Sequence, residues 1–510
     1  MALPPPPAVE LRALTKRFGG LLANAGVDLR VAAGTIHGVI GENGAGKSTA
    51  MKLLLGLLPA DAGQIFIRGE RWARPSPAGA RALGLGMVHQ HFLLADPYTA
   101  LDNLLLAEGP GRPLLLRRDA ARAELRALAA RHGLEMDWDA PVASLPVGVR
   151  QRLEILKLLA GRADILVLDE PTAVLTPLET GRLFEQLRRL RDEGKTVILV
   201  THKLREVMAV TDQISVFRAG RVTGERRTSE TTPEELAQLM VGRPVALRWA
   251  AAPGLAGGEE RLAVADLGLA AVGGAARPRL SGITFSVGAG EIVGVAGVEG
   301  NGQSELIQAL LHPCDRRCRT GGTVRILGRE VTRWSPRAIR DLGVGVVPED
   351  RLREGLLPAR PLWENFLLGR QREPAFQRGG LLRPAAVAAA AARAVADYDV
   401  RPPALGQAAG ALSGGNQQKL ILARELGRAP RLILAAQPTR GVDVGAIEDI
   451  HQRLVRARDA GAGVLLVSSE LEEIRALADR TLVMFDGRIV AEYPRGGATE
   501  RELGLKMGGA

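Results

Sequence analysis

The sequence is poor in aromatic residues, at 3% of 510, and it holds only two cysteines and only eight lysines against 59 arginines. With so few aromatic faces, a nucleic-acid surface built on base stacking is not indicated. Cys314 and Cys318 stand alone in HPCDRRCRT, without the second pair that a zinc or iron–sulfur centre needs, so two free thiols are expected. The longest apolar runs, such as Val197 to Val200 and Gly463 to Val467, have the length of strands, and none would cross a bilayer. The opening MALPPPPAVE lacks the basic start and apolar core of a secretory leader. A cytosolic chain that meets a membrane only at its surface is therefore expected. The net charge of +11 comes from arginines dispersed along an Ala- and Gly-rich chain rather than gathered in a patch, so no nucleic-acid partner is expected.

What is present is a duplication. GENGAGKST, Gly41 to Thr49, and LVLDEPT, Leu166 to Thr172, return as GVEGNGQSE, Gly297 to Glu305, and LILAAQPT, Leu432 to Thr439, at nearly the same spacing. Two α/β domains of about 250 residues each fit the length. The stretch from Gly242 to Glu260 loses periodicity and gathers Gly, Ala and Pro. A first domain at 1–244, a linker at 245–260 and a second domain at 261–510 are expected.

Alternation of apolar and polar residues over 9–40, broken at Gly19-Gly20 and Ala33-Gly34, predicts short strands. His37 to Ile40 reads as a buried strand and Lys47 to Leu58 as a helix, the context a phosphate loop requires. Residues 115–160 read mostly as helix, and Ile165 to Leu168 and Val197 to Val200 as further buried strands.

In the first loop, Gly41, Gly44 and Gly46 let the backbone turn its N–H groups inward on a β-phosphate, ahead of a helix N-terminus. Lys47 supplies a mobile cation and Ser48 a hydroxyl for Mg²⁺. Asn43 and Thr49 complete the candidate nucleotide-binding set. At the end of the strand that follows, Asp169 is placed to hold the metal shell and Glu170 to polarise the attacking water. His202, in VTHKL, stands beyond the next strand, where it would reach a γ-phosphate, and Gln90, in GMVHQHF, would bridge metal and water. His89 and His91 lack ligand partners and are assigned no ligation.

These residues, in this order, resemble the ATP-binding subunits of ABC transporters over nearly the whole chain. The resemblance implies an α/β fold of two tandem P-loop NTPase domains. Each would have a mostly parallel core sheet, an antiparallel β subdomain and a helical subdomain. It also implies ATP and Mg²⁺ as cofactors, adenine stacking on Phe18 in TKRFGG, and head-to-tail pairing of each phosphate loop with the other domain's LSGGQ-type signature. No aromatic equivalent to Phe18 stands around Leu262 to Arg277.

The two copies depart from the family pattern in complementary places. The second signature, LSGGNQQK, is intact, and Ser413, Gly414 and Gly415 are its expected phosphate contacts. Its counterpart LPVGVRQR puts Pro146 and Val147 there, with neither the hydroxyl nor the proline N–H, although proline suits a first helical turn. On the nucleotide side the second copy is the poorer one. Gln303 replaces the lysine, Ala436 and Gln437 the two carboxylates, Ser469 the histidine, and Glu349 the glutamine. One competent composite site follows, with Lys47, Ser48, Gln90, Asp169, Glu170 and His202 facing Ser413, Gly414 and Gly415, together with one degenerate site.

Within the family, VHQHF, GNGQSEL and AAQPTRGVDVGAIE look most like bacterial importers of nucleosides and simple sugars. Such a resemblance implies two membrane permease subunits, an extracytoplasmic substrate-binding protein and a peripheral position on the cytoplasmic face. Permease contacts are expected from His91 to Asn103 and from Asp350 to Asn365, where Asp102-Asn103 and Glu364-Asn365 suggest homologous helices. The alternative is a soluble tandem ABC ATPase acting on ribosomes or nucleic acid. It lacks support in this chain, which has no long charged inter-domain segment and no metal module.

Overall fold

The computed structural model describes residues 6–89, 92–107, 118–172, 175–244, 252, 254, 258–271, 279–315, 318–442 and 444–509. The chain divides into two compact units, Met1–Leu247 and Arg248–Ala510. Most of the expected linker at 245–260 lies outside the described residues. Within the second unit, Arg458 donates to the Ala252 carbonyl at 2.8 Å and Gly254 N–H to Asp479 at 2.8 Å.

The first unit opens with β1 (Val9–Phe18), β2 (Leu21–Val31), β3 (Ile36–Gly41) and α1 (Lys47–Leu54). Then come β4 (Ala62–Ile67), β5 (Glu70–Arg71), α2 (Pro77–Ala82), β6 (Leu85–Val88), α3 (Ala100–Ala107), α4 (Arg118–His132) and α5 (Val147–Ala160). It closes with β7 (Ile165–Asp169), α6 (Pro177–Asp192), β8 (Thr196–Thr201), α7 (Leu204–Val210), β9 (Gln213–Arg218), β10 (Arg221–Arg227) and α8 (Pro233–Val241).

A six-stranded sheet in the order β10-β9-β3-β8-β7-β6 is parallel except at β10, and a four-stranded antiparallel sheet runs β2-β1-β4-β5. Every residue of β3, β7 and β8 is buried, as expected for parallel strands covered on both faces. Alternate residues feed two cores. Ile198 and Val200 pack toward β1, β2 and α1, whereas Val197 and Leu199 pack toward α4, α5 and α6. That layering carries the β3–α1 turn at the carboxyl end of the sheet, where open α/β sheets bind ligands.

Two local expectations need correction. The strands over 9–31 are long, ten and eleven residues, because they pair with each other almost end to end. The first helix stops at Leu54 rather than Leu58, since Gly56 takes φ 65° and any Cβ there would meet the backbone of Ser76 at 2.3 Å.

The second unit repeats the plan. It begins with β11 (Glu260–Ala271), β12 (Leu280–Gly288), β13 (Ile292–Ala296), α9 (Gln303–Leu311), β14 (Cys318–Ile326), β15 (Arg329–Glu330), α10 (Pro336–Asp341) and β16 (Val344–Val347). A helical stretch follows, with α11 (Leu362–Leu367), the hairpin β17 (Gln377–Arg378) and β18 (Leu381–Leu382), α12 (Pro384–Asp397) and α13 (Gly414–Leu426). The unit ends with β19 (Leu432–Ala436), α14 (Val444–Asp459), β20 (Gly463–Ser468), α15 (Leu471–Leu477), β21 (Arg480–Phe485), β22 (Arg488–Pro494) and α16 (Glu500–Met507). Its main sheet, β16-β19-β20-β13-β21-β22, has the strand order of the first. Among the described residues no helix is long and apolar enough to cross a membrane. Cys314 and Cys318 are free thiols.

Candidate functional site

In the first unit β3 runs straight into the phosphate loop. Gly41 lies at φ 159°, with no room for a Cβ beside the Phe217 carbonyl at 2.4 Å. Gly46 caps α1 at φ 97°, where a Cβ would lie 2.4 Å from the Ala23 carbonyl. Glycine is therefore required by close backbone approach and by left-handed φ. Lys47 is buried at 5% exposure, and its ammonium donates to the carbonyls of Gly41 at 2.6 Å and Glu42 at 2.9 Å. These are ligands that a phosphate can replace. Asn43 lies in the loop, and Ser48 and Thr49 in the first turn of α1.

Asp169 ends β7 and accepts a hydrogen bond from the Ser48 hydroxyl. Burial pushes its carboxyl above the usual range, with the neighbouring Glu170 charge adding to the effect, while the Ser48 bond and Lys47 work against it. A desolvated carboxylate beside a hydroxyl is a hard-oxygen pair that fits Mg²⁺. Glu170 follows in left-handed backbone, φ 48°, held by its N–H to the Val200 carbonyl at 2.8 Å. His202 Nδ1 lies 2.9 Å from Glu170 Oε1. Burial works against ionisation of Glu170. The His202 hydrogen bond and the charges of Lys47 and Lys203 outweigh it and hold the carboxyl below its ordinary value. An ionised Glu170 makes Nδ1–H the donor in that pair and leaves Nε2 for other contacts.

The structure thus gathers Lys47, Ser48, Asp169, Glu170 and His202 at one end of the sheet. Gln90 lies outside the described residues, as does His91. Phe18 closes β1, is 46% exposed as a residue, and has the Lys16 ammonium 5.6 Å from its ring centre.

The corresponding groups of the second unit keep the geometry without the charges. Gln437 takes φ 47°, donates its N–H to the Val467 carbonyl at 2.7 Å, and accepts from Ser469 N–H at 3.1 Å and Ser469 Oγ at 3.2 Å. A neutral amide and hydroxyl stand where the first unit has carboxylate and imidazole.

The signatures differ in the opposite sense. Ser413 caps α13 and accepts from Asn416 Nδ2 at 2.9 Å, leaving its own O–H to donate, while the N–H groups of Gly414 and Gly415 open the helix. Sequence reasoning missed Arg351. Its guanidinium donates to Gln417 Oε1 at 3.0 Å and to the carbonyls of Arg440 at 2.7 Å and Gly441 at 3.3 Å, tying the segment after β16 to the signature helix. A Cβ at 414 would lie 2.6 Å from the Arg351 Nη2, so this glycine serves the clamp as well as any phosphate. In the first unit α5 forms with Pro146 as its N-cap, just outside the first turn, and without a side-chain cap; Val147 is 38% exposed.

The two expected permease-facing segments share one device. Asn103 accepts from Ala95 N–H at 2.7 Å and donates to the carbonyls of Ala95 and Thr99. Asn365 accepts from Leu357 N–H at 2.7 Å and donates to the carbonyls of Leu357, Arg360 and Pro361. Each buried asparagine clamps the loop that precedes its helix, α3 or α11.

Comparison with known proteins finds one match in each unit. The ABC transporter family model matches residues 25–173 and 280–440. The chain is 44% identical to the guanosine import ATP-binding protein NupO of Bacillus subtilis, over 98% of this chain and 97% of that one. It is 42% identical to the nucleoside import ATP-binding protein NupA of Lactococcus lactis, over 98% of each. With the ribose import ATP-binding protein RbsA 1 of Rubrobacter xylanophilus it shares 38% identity over 99% of each.

Proposed function

This chain belongs to the ABC transporter family as an ATPase with two fused ATP-binding domains, and from that premise we propose that it drives import of nucleosides or simple sugars from one hydrolytic site. In this reading the first unit's Lys47, Ser48, Gln90, Asp169, Glu170 and His202 act on an ATP whose γ-phosphate is also held by Ser413, Gly414 and Gly415. The remaining halves form a site that does not turn over. Domain limits of 1–244 and 261–510 around a linker at 245–260 belong to the same proposal.

The observation that carries it is the contrast between two corresponding pairs. Glu170 is held ionised beside His202 at 2.9 Å, whereas Gln437 beside Ser469 offers no group basic enough to take a proton. Glu170 takes the water's proton or orients the water, and His202 steadies that carboxylate and offers Nε2 to the departing phosphate. Lys47 exchanges the carbonyls of Gly41 and Glu42 for β- and γ-phosphate oxygens. Mg²⁺ bound at Ser48 and Asp169 would neutralise charge developing on the phosphates. Phe18 supplies a face for adenine.

Relatives named for guanosine, nucleoside and ribose import support the substrate class. The partners are accordingly two permease subunits and an extracytoplasmic binding protein, with the chain on the cytoplasmic face. The paired clamps of Asn103 and Asn365 support loops of fixed shape for permease contact. Steady-state ATPase assays test the asymmetry: Lys47→Ala and Glu170→Gln abolish turnover, and Gln303→Ala lowers it far less. Equal losses from all three would refute the reading, and recovery with ribosomes instead of permeases would replace it with the soluble alternative.

A further inference from the structure

Two strand ends of the first unit carry Glu170 and His202, and a third carboxyl joins those ends from behind. Glu206, in the first turn of α7, is buried, as are Thr172 and Thr201. Its Oε1 accepts from the Thr172 hydroxyl at 2.5 Å and its Oε2 from the Thr201 hydroxyl at 3.3 Å. Thr172 lies on the segment that leaves β7 just past Glu170, and Thr201 ends β8 directly before His202. The Thr201 oxygen also accepts from Lys203 N–H at 3.0 Å, and the Lys203 ammonium lies 3.8 Å from Glu206 Oε1. Each oxygen of one carboxyl is thus assigned to one strand end. A length of 2.5 Å is at the strong end of O–H···O contacts, and with all three side chains out of water, removing one leaves another unmet.

The second unit has Thr439 and Glu473 at the matching positions and uses the carboxyl differently. Glu473 in α15 is buried, its Oε1 lies 3.0 Å from His451 Nε2, and its Oε2 has no hydrogen-bond partner. His451 in α14 stands where α6 has Phe184, and Ser468 where β8 has Thr201. The carboxyl there binds a helix side chain instead of spanning two strand ends. That difference follows the chemistry. Gln437 is gripped by the main-chain N–H of Ser469 as well as by its hydroxyl, a contact that strand pairing itself delivers. Glu170 is reached by an imidazole at the end of a two-torsion side chain, whose aim magnifies any shift of the strand end beneath it. Misplacement of about 1 Å is enough to cost a large part of the rate.

We propose that Glu206 is a positioning residue for hydrolysis: it binds Thr172 and Thr201 together so that His202 meets Glu170, and it touches neither nucleotide nor metal. The inference rests on the reading above, in which Glu170 and His202 act on the attacking water and the γ-phosphate. It adds that their alignment is held by a staple the second unit does not make.

The test measures kcat, ATP affinity and the thermal midpoint of the full chain. Glu206→Gln leaves one acceptor oxygen where two hydroxyls need one each. Its kcat is expected to fall about ten- to hundredfold while ATP affinity changes less than about twofold. Thr172→Val keeps the shape of the side chain and loses about tenfold by itself, and Thr172→Ser restores most of that loss. Combining Glu206→Gln with Thr172→Val costs no more than the larger single loss, since both break one contact. Glu473→Gln leaves kcat within about twofold, because no reacting pair hangs on it. Should the Glu206 variant fail to fold, the valine and serine variants decide alone. An unchanged kcat in Glu206→Gln or Thr172→Val, losses that multiply in the double variant, an equal loss from Glu473→Gln, or a fall in ATP affinity as large as the fall in kcat overturns the proposal. Failure of the parent reading looks different: Glu170→Gln would then keep its turnover. Loss of turnover in Glu170→Gln beside an unchanged Thr172→Val leaves that reading standing and removes only the staple.

Discussion

The ends of β7 and β19 have the same backbone and opposite chemistry. Glu170 and Gln437 both sit in left-handed conformation, φ 48° and 47°, both donate N–H to the neighbouring strand, and both bond the residue just past the next strand. A non-glycine residue in that region carries strain of order 1 kcal/mol or more. Its presence in the copy that has no carboxylate there shows that the turn is set by strand pairing, and that the carboxylate is an addition to it. The signatures teach the converse. Pro146 and Val147 still start a helix, as Ser413 and Gly414 do, yet only the latter pair offers a hydroxyl and an unobstructed N–H. Each half keeps the fold, and the two depart from the family's residue types on opposite sides.

The sharpest way to break this comparison is at Glu170. Glu170→Gln copies the second unit's residue into the first, and kcat is expected to fall about 10²- to 10⁴-fold with nucleotide binding retained. A change below tenfold would mean the two turns are not functionally distinct. Next in size is the signature. Ser413→Pro copies Pro146 and removes the hydroxyl proposed to contact phosphate; for a charge-assisted contact of about 1.5 to 3 kcal/mol, turnover is expected to drop roughly ten- to hundredfold. Pro146→Ser, the reverse exchange, is expected to change it little, and equal effects would remove the asymmetry.

Arg351→Ala tests whether the second signature needs its clamp. A loss of about tenfold in kcat is expected, not rescued by Arg351→Lys, because an ammonium cannot span Gln417 and two carbonyls in one plane. Full activity in the lysine variant would show that charge alone mattered.

The smallest effect concerns stability. His37, buried in β3 against Ser215 Oγ at 2.9 Å, has its pKa lowered from 6.5 to about 4 by burial, whereas Val293 holds the matching place in β13. A buried neutral histidine binds its proton later than the unfolded chain does. The first unit therefore loses stability as pH falls from 6.5 toward 4, by up to about 3 kcal/mol. His37→Val is expected to flatten that pH dependence in thermal unfolding, and an unchanged slope would refute the assignment.

Much of the fold was legible because its signals are local. Short β-branched runs such as Ile165 to Leu168 and Val197 to Val200 read as buried strands and are so, and glycines at 41 and 46 mark turns that a Cβ would block. The lengths of β1 and β2 were not legible, since cross-strand pairing carries them through Gly26 and past the weak alternation at Ala13. Charged substitutes were harder still. Glu349 read as a damaged glutamine position, and only its 2.5 Å bond with Ser304 gives it the place that Asp169 holds in the first unit.

Sequence alone determined that the chain carries two nucleotide-binding domains in tandem and which half of each keeps the residue types of the family pattern, because those traits depend on residue type at fixed offsets along one strand, loop and helix. Tertiary structure decided what the substituted residues do instead: Arg351 reaching α13, Arg440 reaching Glu349 and Glu299, and Gln303 buried with an unmet donor. Contacts across some 45 to 140 residues arise only when the sheet brings its loop ends together, and no local pattern encodes them.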